Sequence, residues 1–461
     1  MSFRTEKDVL GELEVPSDVY WGINTQRAIQ NFQISGKTFP KIFIFSLAQL
    51  KKACLLANME LGLIDEKIGT AILQAINELL DEKKYLDQFP IDIFQTGSGT
   101  QTNMNMNEVL ANRASQVLGF PMGKKNPIHP NDHVNRGQSS NDVIPSVMHI
   151  STIILIKDKL IPSIKRLIEK LVEKIDQFKD IIKVGRTHLQ DAVPIPLSME
   201  FQVYAKQFKI SIERLESAIN ELYFIPIGGT ALGTGLNAHE EFALKVIEVL
   251  NRNTKEPFKI NPVKAEGIAS HNSLVNISNV LELLALSLLK MANDIRWMGS
   301  GPRAGLSELV LPQNEPGSSI MPGKINPTQS EALIQVCLQV MGNNSVITSA
   351  EAYGSILDLN VCKPIMIFNI LDSIEILNGG IISFIDNCLE GLTANETQIQ
   401  NQIERLLMLV TNLTPYIGYD KCSEIAIKAY KEGKTIKEVI NELNIKIEGN
   451  IDDILDPKKM V

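Results

Sequence analysis

The chain has 461 residues, of which 44% are hydrophobic and 21% are charged, and its formal net charge is −8. This length allows a large core and more than one domain, and the acidic balance argues against nucleic acid or a membrane surface as the main partner. The five cysteines lack any close ligand spacing, so no zinc or iron–sulfur site is indicated. We expect a cytoplasmic protein, because the N-terminus has no apolar signal core and no uninterrupted apolar run approaches membrane-spanning length.

The N-terminal third combines turns with helices. Prolines and glycines interrupt residues 1–40, which predicts extended or turn structure there. A helical pattern follows from Lys41 to Asp81, with short breaks. A Gly-Ser-Gly-Thr turn at 97–100 then leads into a polar helix start at 101–108, and residues 121–130 are predicted to be a loop.

Long amphipathic helices dominate the middle of the chain. Their apolar residues recur at alternating steps of three and four, close to a heptad seam. The three stripes are Leu160, Ile164, Leu167, Leu171, Ile175, Phe178; Phe201, Tyr204, Phe208, Ile212, Leu215, Ile219, Leu222; and Ile277, Leu281, Leu284, Leu288, Met291, Ile295, Met298. Further helices are predicted around 328–346 and 363–385. Because strand-like alternation is scarce, we expect an all-α fold, a bundle of near-parallel helices shared between subunits.

Residues 317–327 read as a mobile loop that ends at a helix start. Asn326 is expected to be the N-cap, with Pro327 in the first helical turn. Lys324 would then place an ammonium group beside the positive end of a helix, which makes an anion site for which a carboxylate is the simplest guest. The alternative is a Gly/Pro surface loop with an incidental lysine.

Two further polar segments carry neutral donors. Residues 98–107 are rich in hydroxyl and amide side chains that can donate to carboxylate oxygens, although for this segment taken alone ordinary helix capping is the preferred explanation. His129–His133, followed by residues 138–142, raises the question of a metal site. Pro130 stiffens this stretch and no third-ligand pattern follows, so we expect no metal. The Ser-Ser-Asn run at 139–141 is predicted to donate to an anion, with helix capping as the alternative.

A last polar segment, residues 185–192, holds His188. A lone histidine is more often structural than catalytic, and Arg186 and Asp191 could pair with each other. Glu331 has two interpretations, because it follows Thr328 at capping-box spacing but could also orient a histidine.

Together these segments resemble the fumarase/aspartase superfamily, and within it the class II fumarate hydratase family. The resemblance rests on 317–327 and on 97–105, 129–133, 185–191 and 326–332, and it extends from about Thr5 into the C-terminal tail. His188 favours the hydratases, because aspartate ammonia-lyases typically carry glutamine there. Arg136-Gly137 and Ala304 depart from the family pattern.

The resemblance implies a fold, an assembly and a reaction. The fold would be an all-α long-helix bundle with smaller terminal domains, divided at residues 1–138, 139–392 and 393–461. The chain would form a homotetramer with active sites shared by three subunits. The reaction would be the reversible hydration of fumarate to (S)-malate in the tricarboxylic acid cycle, through an aci-carboxylate carbanion and with no cofactor or metal.

The resemblance also implies residue roles. Ser318 would take the C3 proton, and His188, coupled to Glu331, would act through water at the hydroxyl. Lys324 would stabilise the aci-carboxylate. The substrate would be bound by Ser98, Gly99, Thr100, Ser139, Ser140, Asn141, Thr187, Ser319, Lys324, Ile325 and Asn326. A second, non-catalytic dicarboxylate site would be formed by His129, Pro130, Asn131 and Asp132.

Two other functions stay open at this stage. The first is an ammonia-lyase that releases fumarate from aspartate. The second is a non-catalytic structural or binding protein on the same scaffold, as in lens crystallins of this superfamily; the joint presence of Ser318, Lys324, Asn326, His188 and Glu331 argues against it.

Overall fold

The computed structural model describes residues 2–461, and it confirms the all-α class. Its α-helices are α1 (Ile23–Asn31), α2 (Lys41–Glu60), α3 (Glu66–Leu80), α4 (Thr100–Val117), α5 (Ser140–Leu155), α6 (Ile161–Gln177), α7 (Leu197–Leu222), α8 (Phe242–Thr254), α9 (Lys264–Ala269), α10 (Asn272–Met298), α11 (Thr328–Gly354), α12 (Lys363–Phe384), α13 (Glu396–Glu404), α14 (Thr414–Ile417), α15 (Tyr419–Glu432), α16 (Ile436–Glu442) and α17 (Ile451–Ile454). The helices predicted at 41–81, 328–346 and 363–385 are all present.

Strands are short and occur in two-stranded sheets. They are β1 (Phe3–Asp8), β2 (Gly11–Pro16), β3 (Ile182–Thr187), β4 (Gln190–Pro196), β5 (Phe224–Ile225), β6 (Lys259–Ile260), β7 (Leu309–Val310), β8 (Ser355–Ile356), β9 (Leu359–Asn360) and β10 (Thr393–Ala394). The pairs β1–β2, β3–β4, β7–β10 and β8–β9 are antiparallel, and β5–β6 is parallel. The β3–β4 hairpin was not predicted, although it carries His188.

The chain divides into two compact units. Unit 1 comprises the residues up to Ile161, Glu213–Leu283 and Gln339–Ile376; unit 2 comprises Pro162–Ile212, Leu284–Leu338 and Leu377–Val461. The three-domain division at 138/139 and 392/393 stays a prediction.

Helix α2 forms the centre of the unit 1 core. It packs against α3, α5 and α8. Phe43, Leu47 and Leu50 on this helix are fully buried. In unit 2 the rings of Phe178 and Phe201 pack against each other at a tilt, with their centroids 5.2 Å apart. Unit 2 also contains a small C-terminal core.

The apolar stripes of the long helices are buried as predicted. Every residue of the α10 stripe is buried, and in the other two stripes only Ile175 and Ile212 are partly exposed. Other faces of α10 and α11 keep large apolar side chains in solvent within a single chain, namely Leu283, Leu286, Trp297, Leu338 and Val346. These faces are suited to contacts with other chains.

Three helical stretches have the length and hydropathy of membrane spans, although none of them is an uninterrupted apolar run. Helix α2, helix α10 and the helical stretch Lys363–Leu389 are long and apolar enough to cross a membrane, judged by length and composition alone. At least half of the most apolar window of each is buried inside the chain. Charged residues interrupt each stretch, for example Lys51 in α2, Glu282 in α10 and Asp372 in α12.

Helix α1 was also missed, because its stabilising partner is distant in sequence. The carboxylate of Glu108, buried in α4, accepts hydrogen bonds from the backbone N–H groups of Gly22, Asn24 and Thr25 at 2.9–3.1 Å. It also accepts from the Thr25 hydroxyl at 2.7 Å. Since a helix start leaves N–H groups without intrahelical partners, this buried anion supplies what the local sequence lacks.

We therefore expect Glu108→Gln to destabilise the protein by about 2–4 kcal/mol, because an amide NH₂ would face buried donors that need an acceptor. The measurement is the urea unfolding midpoint by circular dichroism. The control is Glu66→Gln in the exposed first turn of α3, which should change stability by no more than about 0.5 kcal/mol. Equal midpoints for the two variants would contradict this role of Glu108.

Candidate active site

A chain of three hydroxyl groups lies in unit 1. The Oγ of Ser98 is 2.7 Å from the Oγ1 of Thr100, which is 2.7 Å from the Oγ of Ser140. Thr100 is the first residue of α4 and Ser140 is the first residue of α5, so the N-termini of two long helices meet here. Unpaired N–H groups and the positive ends of both helix dipoles favour an anion at such a point.

The residues around this chain are fixed by the backbone. Gly99 has a positive φ of 72°, which lets the chain turn sharply into α4. Ser139 caps α5 in a capping box with Asp142. The side-chain amide of Asn141 donates to the carbonyl of Ala231 at 2.9 Å. The capping interpretation of this segment is thus confirmed for Ser139, while Thr100 and Ser140 have no cap role.

The His129 segment borders a cavity in unit 1. His129 Nδ1 accepts from the backbone N–H groups of Asn131 and Asp132 at 3.2 Å each, within a tight turn that begins at the buried Pro130. His129 and Asn131 border a cavity of about 530 Å³ that also reaches Thr100. Arg27 and Lys125 line it too, and sequence reasoning gave no sign of them.

Within residues 2–461, no three His, Cys, Asp or Glu side chains are grouped closely enough to hold a metal ion. His129 and His133 instead act as acceptors for backbone N–H groups, His133 Nδ1 at 2.8 Å from the N of His129. Burial lowers the pKa of His133 below its ordinary value, which keeps the ring neutral for this role.

His188 occupies the tip of the β3–β4 hairpin in unit 2. Thr187 pairs with Gln190, so His188 and Leu189 form a two-residue turn, with positive φ values of 57° and 60°. Two consecutive positive φ values are expected of a type I′ turn, which strongly prefers asparagine and glycine. A histidine and a leucine are unusual there, and such strain is commonly associated with function. Thr187, His188 and Leu189 are all exposed.

The hairpin is anchored by buried charges. The Arg186 guanidinium donates to the carboxylate of Glu308, which is fully buried, and to the side chain of Gln402 at 3.1 Å. The ammonium of buried Lys183 lies 3.4 Å from the second carboxylate oxygen of Glu308. Arg186 therefore binds Glu308, and the suggested pairing of its side chain with Asp191 is wrong.

The 317–326 loop of unit 2 is closed at its base. The amide of Asn326 donates to the carbonyl of Gly317 at 2.7 Å, and the N–H of Gly317 donates to the carbonyl of Lys324 at 2.9 Å. A Cβ at Gly317 would lie 2.3 Å from that Lys324 oxygen, so only glycine fits. Helix α11 begins at Thr328, so Asn326 closes the loop and is not the predicted N-cap.

The Ser318 hydroxyl makes two hydrogen bonds to the backbone of its own loop. Its Oγ accepts hydrogen bonds from the backbone N–H groups of Ile320 at 3.2 Å and Met321 at 3.0 Å. Two N–H donors aimed at one oxygen stabilise negative charge on that atom. Lys324 is exposed on the same loop, as are Ser319 and Ile325.

The predicted site residues are divided between the two units. Ser98, Thr100 and Ser140 are in contact, whereas the residues 187–188 and 318–326 belong to unit 2 and not to unit 1. Glu331 is exposed in the first turn of α11, and no hydrogen bond joins it to His188 within the described residues of one chain.

Sequence reasoning missed the supports behind these segments. The carboxylate of Asp142 accepts from the backbone N–H groups of Gly228 at 3.0 Å and Thr230 at 2.8 Å. The glycine cluster from 228 to 235 was a usable signal for that close approach. Lys51, which is almost fully buried in α2, gave no signal of its own.

Comparison with known proteins gives consistent results. A lyase family profile matches residues 11–342, and a fumarase C C-terminus profile matches residues 409–461. A class II fumarate hydratase of Rickettsia bellii is 49% identical over 460 residues, which cover 100% of this chain and 99% of that protein. A mitochondrial fumarate hydratase of Rhizopus oryzae is 49% identical over 461 residues, with coverage of 100% and 93%.

The fold matches as well. The crystal structure of a class II fumarase from Schistosoma mansoni superimposes with a TM-score of 0.96 at 39% sequence identity, covering 100% of this chain and 99% of that one. With near-complete coverage and about half of all positions identical to curated relatives, the chain belongs to the class II fumarate hydratase family.

Proposed function

We propose that this chain catalyses the reversible hydration of fumarate to (S)-malate. The observation that carries the proposal is the Ser318 hydroxyl, whose oxygen receives two backbone N–H bonds on a loop that also carries Lys324. The names of the relatives support the same reaction.

The hard step in the malate direction is removal of the C3 proton. Ser318, as an alkoxide, accepts this proton and becomes a neutral hydroxyl, while the electron pair moves into the adjacent carboxylate to give an aci-carboxylate. Serine is a poor base in water, so its alkoxide needs the local N–H donors and the Lys324 ammonium. Lys324 and Asn326 hold the charge that develops on the substrate, which makes them most effective in the transition state.

His188 acts at the hydroxyl carbon. Through a water molecule it delivers a proton to the departing hydroxide, and in the hydration direction it removes a proton from the attacking water. Glu331 orients the imidazole and raises its basicity. His188 is exposed at the strained tip of the hairpin. This position supports the proposed role, because the imidazole is accessible to substrate and to residues of another chain.

Neutral donors bind the two substrate carboxylates. Thr100 and Ser140, with Ser98, offer hydroxyl groups where two helix N-termini meet. The remaining members of the proposed binding set are Gly99, Ser139, Asn141, Thr187, Ser319, Ile325 and Asn326. His129, Pro130, Asn131 and Asp132 form the proposed second, non-catalytic dicarboxylate site, beside the cavity that Arg27 and Lys125 line.

The proposed assembly is a homotetramer whose active sites each draw residues from three subunits, and its proposed location is the cytoplasm. The exposed apolar side chains on α10 and α11 support association of the long helices. The exposure of both His188 and Glu331 in one chain supports a pairing that forms between chains. The 317–323 part of the loop would close over the substrate and exclude water.

The reaction is tested by following fumarate absorbance with malate or aspartate as the substrate. We expect fumarate from malate and none from aspartate, because His188 supplies the acid–base group that a hydro-lyase needs. Fumarate from aspartate alone would identify an ammonia-lyase. Binding of dicarboxylate with no turnover of either compound would identify the non-catalytic alternative.

The residue roles are tested by Ser318→Ala and His188→Asn. Each should lower turnover at least ~100-fold, since each removes an acid–base group, and each should leave the assembly intact by light scattering. His239→Asn, at another exposed histidine, is the matched control and should keep near-normal activity. A near-normal rate for either test variant would remove that residue from the mechanism.

Shared sites predict complementation between these two inactive variants. Chains of Ser318→Ala and His188→Asn, unfolded together and reassembled at equal amounts, should regain up to about one quarter of wild-type activity, because some sites would combine an intact Ser318 from one chain with an intact His188 from another. Each variant reassembled alone is the control. No gain on mixing would show that both residues of a site come from one chain.

A further inference from the structure

The loop that leads into α5 is built around a buried ammonium group. Lys51, in the middle of α2, is 1% exposed. Its Nζ donates to the side-chain oxygens of Asn135 at 2.8 Å and Gln138 at 2.9 Å. Both acceptors are neutral amides, so the positive charge is held in the interior by dipoles.

These amides organise the whole 135–138 segment. The oxygen of Asn135 also accepts from the side-chain amide of Asn103 at 3.1 Å, and the amide of Asn135 donates to the Gln138 carbonyl at 3.2 Å. Gln138 donates in turn to the carbonyl of Val134 at 3.1 Å. The segment joins the His129 turn directly to Ser139, so one lysine fixes the connection between the two proposed dicarboxylate-binding stretches.

A buried negative charge lies in the same region. Asp142 is fully buried in the first turn of α5 and accepts from the N–H groups of Ser139, Gly228 and Thr230 at 2.8–3.0 Å. It is two residues from Ser140, so an ionised Asp142 opposes the binding of a substrate carboxylate there. The positive charge of Lys51 favours the binding of that carboxylate.

The two groups influence each other. Burial lowers the pKa of Lys51 to about 7, and the charge of Asp142 opposes that shift. Burial raises the pKa of Asp142 to about 7, and its backbone hydrogen bonds and the Lys51 charge oppose that shift. Each charge therefore stabilises the other in its ionised form.

We infer that Lys51 is a positioning residue for substrate binding, which fixes the segment before Ser139 and offsets the Asp142 charge beneath the proposed carboxylate site. This inference rests on the proposed function for the identity of the ligand. Lys51 does not contact the reacting atoms, so its removal should affect binding far more than the chemical step.

The test compares Lys51→Met with Lys52→Met in the full-length assembly. Lys52 is the next residue of α2, and its ammonium donates to Asn77 at 2.8 Å, on α3. Lys51→Met should raise KM for malate by ~10-fold or more with kcat within ~3-fold of wild type, because charge-assisted hydrogen bonds that order the site are lost. Lys52→Met should keep both constants within ~2-fold, and equal kinetics for the two variants would overturn the inference.

A double variant tests separately whether the Lys51 charge offsets the Asp142 charge. If Lys51 offsets Asp142, then adding Asp142→Asn to Lys51→Met should bring KM back to within ~3-fold of that of Asp142→Asn alone. If Lys51 had only a structural role, the effects of the two substitutions on KM would multiply. That result would overturn the electrostatic part of the inference. Should Lys51→Met fail to assemble, Gln138→Met, which removes one acceptor and keeps the charge, should raise KM ~3-fold or more, and an unchanged KM overturns the positioning role.

Binding without catalysis separates this inference from the proposed function. Succinate is a dicarboxylate with no carbon–carbon double bond and no hydroxyl group, so it can bind but cannot react. In calorimetry, its Kd should be about 10-fold higher for Lys51→Met than for Lys52→Met. This result would support Lys51 even if the wild type did not convert malate. If Lys51→Met and Lys52→Met bind succinate equally well while the wild type converts malate normally, the positioning role of Lys51 is overturned and the proposed function stands.

Discussion

Backbone N–H groups without intrahelical or sheet partners are the feature on which the proposed site depends. They lie at the starts of α4 and α5, where Thr100 and Ser140 meet, and in the loop where two of them donate to Ser318. Such groups are fixed by the fold and need no rearrangement when negative charge develops. A chain with a net charge of −8 can thus present a local anion site with few cations.

Buried ionisable groups support the exposed functional segments. Glu308 anchors the hairpin that carries His188, and Glu108 holds the start of α1. Asp142 and Lys51 hold adjacent residues of the segment around Ser139, through Ser139 and Gln138 respectively. Each of these groups is almost fully buried and is held by hydrogen bonds or by an ion pair, so its position is well determined. The positions of the exposed segments are therefore fixed by buried side chains.

The sequence was informative wherever a local pattern was sufficient. Heptad-like spacing located α7 and α10 and the residues they bury, and the glycine turn at 97–100 located the start of α4. The family resemblance, confirmed by the relatives, supplied the activity. Neither the residue spacing nor the family resemblance requires knowledge of contacts between residues that are far apart in the sequence.

What the sequence could not predict depends on distant partners. Helix α1 needs Glu108, which follows it by more than 70 residues, and the Arg186 side chain selects Glu308 although Asp191 is adjacent in the hairpin register. Lys51 looked like any lysine, because nothing near it in sequence indicates that Asn135 and Gln138 surround it. The pairing of His188 with Glu331 lies beyond one chain in our proposal, so no pattern within the sequence could reveal its geometry.

The two-residue turn of the β3–β4 hairpin also limits how this protein can vary. Side chains alternate between the two faces of a strand, so one extra residue beside His188 would invert the faces of β4 or force a bulge. The distance to which the imidazole extends is therefore set by the length of the strands, and not by a loop that could grow or shrink. Insertions that many surface turns tolerate would be excluded at this position.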